Sequence, residues 1–207
     1  MRGSIVTKFG RLVWYLAANP KTAVRYFRNL RSSTLDLRMP WTSYLAIDYL
    51  KSITKPGTKV LEFGSGGSTL FFLDHGAHVT STETDRKWIE YVRGRIPEGM
   101  QDRFVGVALE PDPKNSSLAY LDFIAKTPIS EFDIIFIDHP DVEPDFSERP
   151  LIFNAVQPLL KRGAVVVVDD SWRYDHLKVE NSAKFTRVLR SVGPGRPGVT
   201  EALACQF

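Results

Sequence analysis

Two apolar segments, FDIIFID and AVVVVDD, constrain the fold of this chain more than any other feature. Neither segment alternates apolar and polar residues, so a strand formed from it is expected to be buried on both faces of its sheet. Strands of this type occur in parallel sheets that are covered by helices on both sides. The sequence therefore predicts an α/β fold, and parallel α/β sheets place their binding sites at the carboxyl ends of the strands.

The rest of the chain after residue 56 fits this expectation, because short apolar runs alternate with helical patterns. The predicted strands are KVLEF, HVTSTE, RFVGVAL, FDIIFID, AVVVVDD and, at the end, VTEALACQF. The predicted helices are STLFFLDHG, DRKWIEYVRGRI, SLAYLDFIAK, RPLIFNAVQPLLKRG and a stretch near residues 178–190. The segment 111–131, which contains SLAYLDFIAK, is the least regular part of this pattern.

Residues 1–55 form a second region, a basic helical extension or cap ahead of a catalytic domain at 56–207. Apolar residues recur at helical spacing on either side of Pro20, and a third helix follows Trp41. Before residue 41, Asp36 is the only acidic residue, and the basic residues are Arg2, Lys8, Arg11, Lys21, Arg25, Arg28, Arg31 and Arg38. Such helices suit a cap over the site, a homo-oligomer contact or a peripheral contact with an anionic membrane. Nucleic acid is not expected, because the aromatic residues sit at helical spacing.

The composition, 43% hydrophobic with a single cysteine, indicates one globular domain with or without a short appendage. Cys205 has no internal disulfide partner, which favours a reducing compartment. The apolar run LVWYLAA near the start is too short for a secretory signal, and no segment reaches the length of a transmembrane helix. We therefore expect a cytoplasmic protein.

A glycine loop, in VLEFGSGGST, joins the first strand of the predicted sheet to its helix. Glycines there allow a tight turn and a close approach to a ligand, and the helix start offers free N–H groups. The second strand ends at Glu83, where a carboxylate is placed to accept hydrogen bonds from ribose hydroxyls. The alternatives are a turn without a ligand and an NAD site, although Thr69 stands where the sixth-position glycine of an NAD motif would be.

With Glu62 two residues before the first glycine, this loop resembles motif I of the class I S-adenosylmethionine-dependent methyltransferases, and the similarity extends over about residues 56–207. The resemblance implies a Rossmann-like, doubly wound, mostly parallel seven-stranded sheet with an antiparallel C-terminal strand. It also implies S-adenosylmethionine as cofactor and Glu83 as its ribose ligand. The residues that would surround the methionine part are Glu62, Gly64, Ser65, Gly66, Gly67 and Ser68, and Asp138 is a further candidate contact.

Three carboxylates follow the fourth and fifth predicted strands. Asp138 ends one strand and Asp169 and Asp170 end the other, so adjacent parallel strands would bring all three together. Carboxylates grouped in this way suit Mg²⁺. The pattern resembles the metal-dependent O-methyltransferases of the catechol and macrocin types. The alternative is that Asp138 binds only the cofactor, Asp169 caps a turn, and Asp170 pairs with Arg149 or Arg173.

The general base is less clearly marked. In the catechol-type enzymes a lysine lies three positions after the aspartate of the fourth strand, and this chain has Asp141 there. His139 has the most suitable ordinary pKa for a base, and Asp141 and His176 are the other candidates. A histidine in this position also serves commonly as a packing group.

These features predict a methyltransferase that acts on a hydroxyl of a small molecule or sugar, with or without Mg²⁺. Trp172 and Arg173, after the aspartate pair, are candidates to line the acceptor pocket, where an arginine would favour an anionic acceptor. A nucleotide-binding module without catalysis is the alternative from another class, and an NAD-linked oxidoreductase is a further one.

Overall fold

The computed structural model describes residues 5–110, 117–141 and 147–207, with side chains described from residue 10 onward. Part of the predicted segment 111–131 and, within the basic block, Arg2 and the side chain of Lys8 therefore lie outside the described residues. The helices are α1 (Ile5–Ala18), α2 (Pro20–Asn29), α3 (Tyr44–Ile53), α4 (Gly67–Asp74), α5 (Arg86–Arg93), α6 (Ser117–Lys126) and α7 (Glu148–Val156). The strands are β1 (Lys59–Phe63), β2 (His78–Glu83), β3 (Phe104–Ala108), β4 (Ile134–Ile137), β5 (Val165–Asp169), β6 (Phe185–Val192) and β7 (Val199–Gln206).

The seven strands form one sheet in the order β3-β2-β1-β4-β5-β7-β6. All pairs from β3 to β5 are parallel, and β7 runs antiparallel to both of its neighbours. The chain reverses direction across the sheet between β1 and β4, and this is where a doubly wound sheet opens a crevice. The predicted fold class, with its antiparallel C-terminal strand, is confirmed.

The two segments that predicted this fold are buried as expected. In β5, Val165 and Val167 belong to the core on one face of the sheet, and Val166 and Val168 belong to the core on the other. The residues of β4 divide between the two cores in the same way. Burial on both faces explains the absence of alternation, because a polar residue at any of these positions would lose its hydration.

Local signals fix most of the helix boundaries. The Ser43 side chain accepts a hydrogen bond from the Ala46 backbone N–H and so caps α3. Asp85 accepts from the backbone N–H groups of Lys87 and Trp88 at the start of α5. The helix α7 ends at Val156, and Pro158 lies in the 3₁₀ turn that follows it.

The helix predicted near residues 178–190 is wrong. The chain forms a 3₁₀ turn at Asp175–Lys178 and then the edge strand β6. Phe185, Val188 and Leu189 are spaced as on a helix, which explains the error. Pairing with β7 over the full length of β6 supplies backbone hydrogen bonds that outweigh this spacing.

The N-terminal helices pack directly on the sheet. Leu12, Leu16 and Tyr26 belong to the same buried cluster as Val167 of β5 and Leu189 of β6. Trp14 and Phe27 on α1 and α2 remain exposed. Contact of these helices with a membrane or with a second copy of the chain stays a prediction. Within the described residues, no helix is long and apolar enough to span a bilayer.

Candidate functional site

A cleft of about 940 Å³ lies at the carboxyl ends of β1, β2, β4 and β5. The glycine loop, the ends of these strands and the segment between α2 and α3 form its walls. Its lining includes Thr34, Leu35, Trp41, Gly64, Ser65, Gly66, Gly67, Ser68, Glu83, Trp88, Asp138, Asp141, Arg149, Asp170 and Arg196. The cleft therefore lies where the parallel sheet predicts a binding site.

The glycine loop requires glycine at two of its positions. Gly64 has φ +97°, and a Cβ there would lie 2.9 Å from the Asp138 carbonyl oxygen. A Cβ on Gly67 would lie 2.2 Å from the Met39 carbonyl oxygen. At Gly66, in contrast, a Cβ would meet nothing within 4 Å. The loop is thus packed tightly from behind and is open to the cleft, which leaves backbone accessible to a ligand.

Glu62 lies beneath this loop, at the end of β1, and is completely buried. Its Oε2 accepts a hydrogen bond from the Thr69 hydroxyl at 2.6 Å, and Oε1 has no hydrogen-bond partner among the described residues. A buried carboxylate oxygen without a partner is costly, and a ligand ammonium group would satisfy it. Burial raises the pKa of Glu62 to about 7.

This raised pKa gives stability a specific pH dependence. Between the ordinary value of 4.5 and about 7, the folded chain holds a proton on Glu62 that the unfolded chain releases. The free energy of unfolding should therefore fall as pH rises through that window, by roughly 2–3 kcal/mol from this group. The side chain of Glu62→Gln cannot titrate, so the variant does not share this loss. Its free energy of unfolding, relative to that of the unaltered chain, should therefore increase when the pH is raised from about 5 to about 8. Denaturant unfolding of both chains at both pH values measures this difference in stability. The same difference between variant and unaltered chain at the two pH values would contradict the prediction.

Glu83, at the end of β2, is nearly buried and lines the same cleft. Its Oε1 accepts from the Thr84 N–H at 2.8 Å, and its Oε2 accepts from the Ser65 N–H at 3.2 Å. The Trp88 indole donates to the Ser65 carbonyl at 2.8 Å. These bonds fix the Glu83 carboxylate against the loop, at the end of the strand where the sequence predicts the residue that binds the ribose.

The three aspartates predicted as metal ligands lie together, and two arginines lie among them. Arg196 contacts Asp169 and Asp170 at 2.6 Å each, through Nη2 and Nη1 respectively. Arg149 Nη2 lies 3.2 Å from Asp138 Oδ1, and its Nη1 lies 3.9 Å from Asp169 Oδ2. Fixed guanidinium groups therefore compensate the carboxylates that the sequence indicated for a cation.

Arg149 also joins the ends of the two strands. It is 5% exposed, its Nε and Nη2 donate to the His139 carbonyl, and its Nη1 donates to the Asp169 carbonyl at 2.8 Å. Burial alone would lower the pKa of this guanidinium, and the carboxylates of Asp138 and Asp169 raise it. Arg149 is therefore a permanent charge that holds the ends of β4 and β5 together.

The aspartates differ in their electrostatics. The side chain of Asp138 is 17% exposed, whereas that of Asp169 is fully buried. Burial, and next the charge of Asp169, raise the pKa of Asp138 well above its ordinary value. Burial also opposes ionisation of Asp170, but Arg196, Arg149 and Arg173 hold its pKa below the ordinary value. Asp170 has φ 52°, a left-handed conformation that aspartate tolerates and that turns the chain out of β5.

This arrangement does not fit the predicted Mg²⁺. Each of the three aspartates already has an arginine within 3.2 Å, and a divalent cation added among them would meet two fixed positive charges. Within residues 5–110, 117–141 and 147–207, no group of three or more His, Cys, Asp or Glu side chains could hold a metal ion. A metal requirement therefore remains only a prediction from the sequence.

The two residues predicted to be catalytic, His139 and Asp141, make contacts typical of a structural role. His139 is 1% exposed and does not line the cleft. The centre of its ring lies 4.7 Å from that of Tyr120, at a tilt of 43°, and its Nε2 lies 3.3 Å from Glu148 Oε2. Burial lowers the pKa of His139. Asp141 lines the cleft, accepts from the Glu148 N–H at the start of α7, and accepts from the Tyr174 hydroxyl at 2.5 Å. These contacts make Asp141 a cap for α7, and the geometry favours neither residue as the base.

Sequence reasoning missed several groups in the cleft. Arg196 lies in the turn GPGRPG and was not singled out, although three grouped carboxylates signal a need for cationic partners. Trp88 lies on α5, within an ordinary amphipathic pattern. Outside the lining of the cleft, the fully buried Thr42 donates its hydroxyl to Asp169, and no motif marks that threonine.

Comparison with solved structures places this fold among methyltransferases. Cofactor-bound Rv0187 from MTB aligns with a TM-score of 0.61 and 22% identity, over 84% of this chain and 86% of that chain. An O-methyltransferase from Bacillus cereus in complex with SAH aligns with a TM-score of 0.61 and 18% identity, over 98% of this chain and 100% of that one. The O-methyltransferase TomG from Streptomyces achromogenes, in complex with SAM, aligns with a TM-score of 0.59 and 17% identity, over 100% of this chain and 91% of that chain.

At the level of sequence, no protein-family model matches this chain and no curated protein matches it. The structural similarity nevertheless extends over nearly the whole chain and includes the helices before β1. The chain has the Rossmann-like fold of the class I S-adenosylmethionine-dependent methyltransferases, as the glycine loop and Glu83 indicated.

Proposed function

We propose that this protein is an S-adenosylmethionine-dependent methyltransferase that methylates a hydroxyl group of a small molecule or sugar without a metal ion. The observation that carries the proposal is the pairing of the loop with two acidic residues. Glu62 has a buried oxygen without a described partner beneath the loop, and Glu83 is fixed at the far side of it. A ligand with an ammonium group and a ribose matches both acids.

The residues fit this cofactor in three respects. Gly66 leaves the backbone of the loop open, Glu62 has an unpartnered carboxylate oxygen buried beneath that loop, and Glu83, which lines the cleft, offers two oxygens to the ribose hydroxyls. When bound, S-adenosylmethionine supplies a methyl group on a sulfonium centre. The comparisons with solved structures support the choice of acceptor atom, since two of the similar structures are O-methyltransferases.

The base in this proposal is Asp138. It lines the cleft, and of the three grouped aspartates its side chain is the most exposed. Arg149 lies 3.2 Å from it, and burial, followed by the charge of Asp169, favours uptake of a proton. Asp138 therefore orients the acceptor hydroxyl and takes its proton, while Arg149 and Arg196 balance the remaining carboxylate charge in place of a cation.

Release of S-adenosylhomocysteine from a panel of hydroxylated acceptors tests the reaction. We expect at least one acceptor to give turnover, and we expect its rate to be unchanged after treatment with EDTA and dialysis against a chelating resin. Restored activity on adding Mg²⁺ to a chelated, inactive sample would contradict the metal-independent mechanism. Consumption of NAD instead of S-adenosylmethionine would contradict the proposed function as a whole.

A further inference from the structure

A second cavity, of about 290 Å³, adjoins the cleft on the side of α1 and β7. Its lining includes Arg11, Trp172, Arg190 and Glu201. Asp170, Arg173, Arg196 and Pro197 also line the cleft, so the two spaces share a wall. A molecule in the cleft could therefore extend a substituent into this cavity, which we call the basic pocket.

The positive charge of the basic pocket exceeds what its own carboxylates balance. Asp170 is bound by Arg196 at 2.6 Å and contacts Arg173 at 3.4 Å. Glu201 is bound by Lys178 at 2.6 Å and accepts from the Ser171 hydroxyl. Both acidic residues of the lining are therefore already paired with cations.

Two arginines of the lining have no such partner. Among the described parts of the chain, neither Arg11 on α1 nor Arg190 on β6 forms an ion pair. The two side chains come from distant parts of the sequence and line one small cavity together with Arg173. Guanidinium groups arranged in this way favour a carboxylate or phosphate, which each can bind through two N–H groups.

The neighbouring side chains extend this argument to the acceptor. Trp172 lines the pocket, and the Arg173 guanidinium lies 5.0 Å from the centre of its ring. A volume of about 290 Å³ is at the lower limit for a whole small-molecule site, so it suits one part of a larger ligand. The shared wall joins that part to the cleft that contains Asp138.

We infer that the basic pocket binds an anionic group, a carboxylate or a phosphate, of the molecule that receives the methyl group. The inference rests on the proposed function for the identity of that molecule as an acceptor. Arg11 and Arg190 bind the anion, and Arg173 stands at the boundary with the cleft.

Calorimetric titration with benzoate, phenyl phosphate and phenol tests this inference. We expect one or both anions to bind and phenol to bind at least about tenfold more weakly, because hydrogen bonds to charged groups are the stronger ones. Tighter binding of benzoate identifies a carboxylate pocket, and tighter binding of phenyl phosphate identifies a phosphate pocket. Arg11→Gln and Arg190→Gln should each weaken binding of the preferred anion by about tenfold.

Arg187→Gln is the matched control. Arg187 lies on the same strand as Arg190, but its guanidinium lies 5.3 Å from the ring of Tyr49, outside the pocket. Anion binding that falls equally in Arg187→Gln and Arg190→Gln would overturn the inference, as would no binding of either anion.

The same samples are titrated with S-adenosylhomocysteine. Binding of S-adenosylhomocysteine without binding of either anion would overturn the inference about the basic pocket and leave the proposed function standing. A chain that binds the anions through Arg11 and Arg190 but not S-adenosylhomocysteine supports the pocket and contradicts the proposed function.

Discussion

Replacing Asp138 with asparagine is expected to lower kcat by about 10²- to 10⁴-fold, the usual contribution of a positioned general base. Asparagine keeps the size of the side chain and can still accept a hydrogen bond from Arg149, which lies 3.2 Å away. It cannot take a proton from the acceptor. The dissociation constant of S-adenosylhomocysteine should therefore change much less than kcat, and steady-state kinetics together with calorimetry separate the two.

Asp133→Asn is the control for this variant. Asp133 lies at the opposite end of β4, where it pairs with Lys161 at the surface, far along the strand from the cleft. We expect its kcat to stay within about twofold of the unaltered chain, as for most surface changes. Full activity in Asp138→Asn, with loss of activity in His139→Gln or Asp141→Asn, would place the base at one of the residues that the sequence indicated.

Replacing Arg196 with glutamine is expected to lower the free energy of unfolding by about 3–5 kcal/mol, the cost of removing one partner from a buried ion pair. Arg196 is paired with Asp169, whose side chain is fully buried, and with Asp170. It also donates to the Trp41 carbonyl and, through its own carbonyl, accepts from the Tyr26 hydroxyl. The substitution therefore leaves two carboxylates undercompensated and removes the hydrogen bond to the Trp41 carbonyl, whereas the Tyr26 hydroxyl keeps its backbone acceptor.

The comparison for Arg196→Gln is Arg162→Gln, which removes an exposed arginine in the turn before β5. Denaturant unfolding should show a change within about 0.5 kcal/mol for that control. A loss for Arg196→Gln no larger than the control's would contradict the account of the carboxylate cluster. Recovery of its stability on adding Mg²⁺, without effect on the unaltered chain, would show that the arginine occupies the place of a cation.

The parts of the site that could be predicted from the sequence are those set by the parallel sheet. Consecutive parallel strands end at one edge, so the positions of Gly64, Glu83 and Asp138 follow once the strands are assigned. The grouping of Asp138 with Asp169 and Asp170 follows in the same way from the pairing of β4 with β5. These predictions needed no knowledge of side-chain packing.

Most of the compensation of those carboxylates could not be predicted in this way, although the pairing of Asp170 with Arg173 was one of the alternatives from the sequence and is present in the structure. Arg196 comes from the turn between β6 and β7, and its position depends on an antiparallel strand pair whose first member has helical spacing. Arg149 reaches the aspartates from the first turn of α7, and the pairing of Arg173 with Asp170 is a local contact across three residues. A cluster of acids predicts positive charge nearby, but sequence alone does not say whether a metal or arginine supplies it.

The most direct test of the central claim is calorimetric titration of the chain with S-adenosylhomocysteine and, separately, with NAD. We expect S-adenosylhomocysteine to bind at one site per chain and NAD to give no heat. Glu83→Ala should weaken binding of S-adenosylhomocysteine by about 30- to 100-fold, because it removes the charged acceptors of the ribose hydroxyls. The control Glu90→Ala changes an exposed glutamate and should leave this binding unchanged. Binding of NAD in place of S-adenosylhomocysteine, or S-adenosylhomocysteine binding that Glu83→Ala leaves intact, would contradict the account.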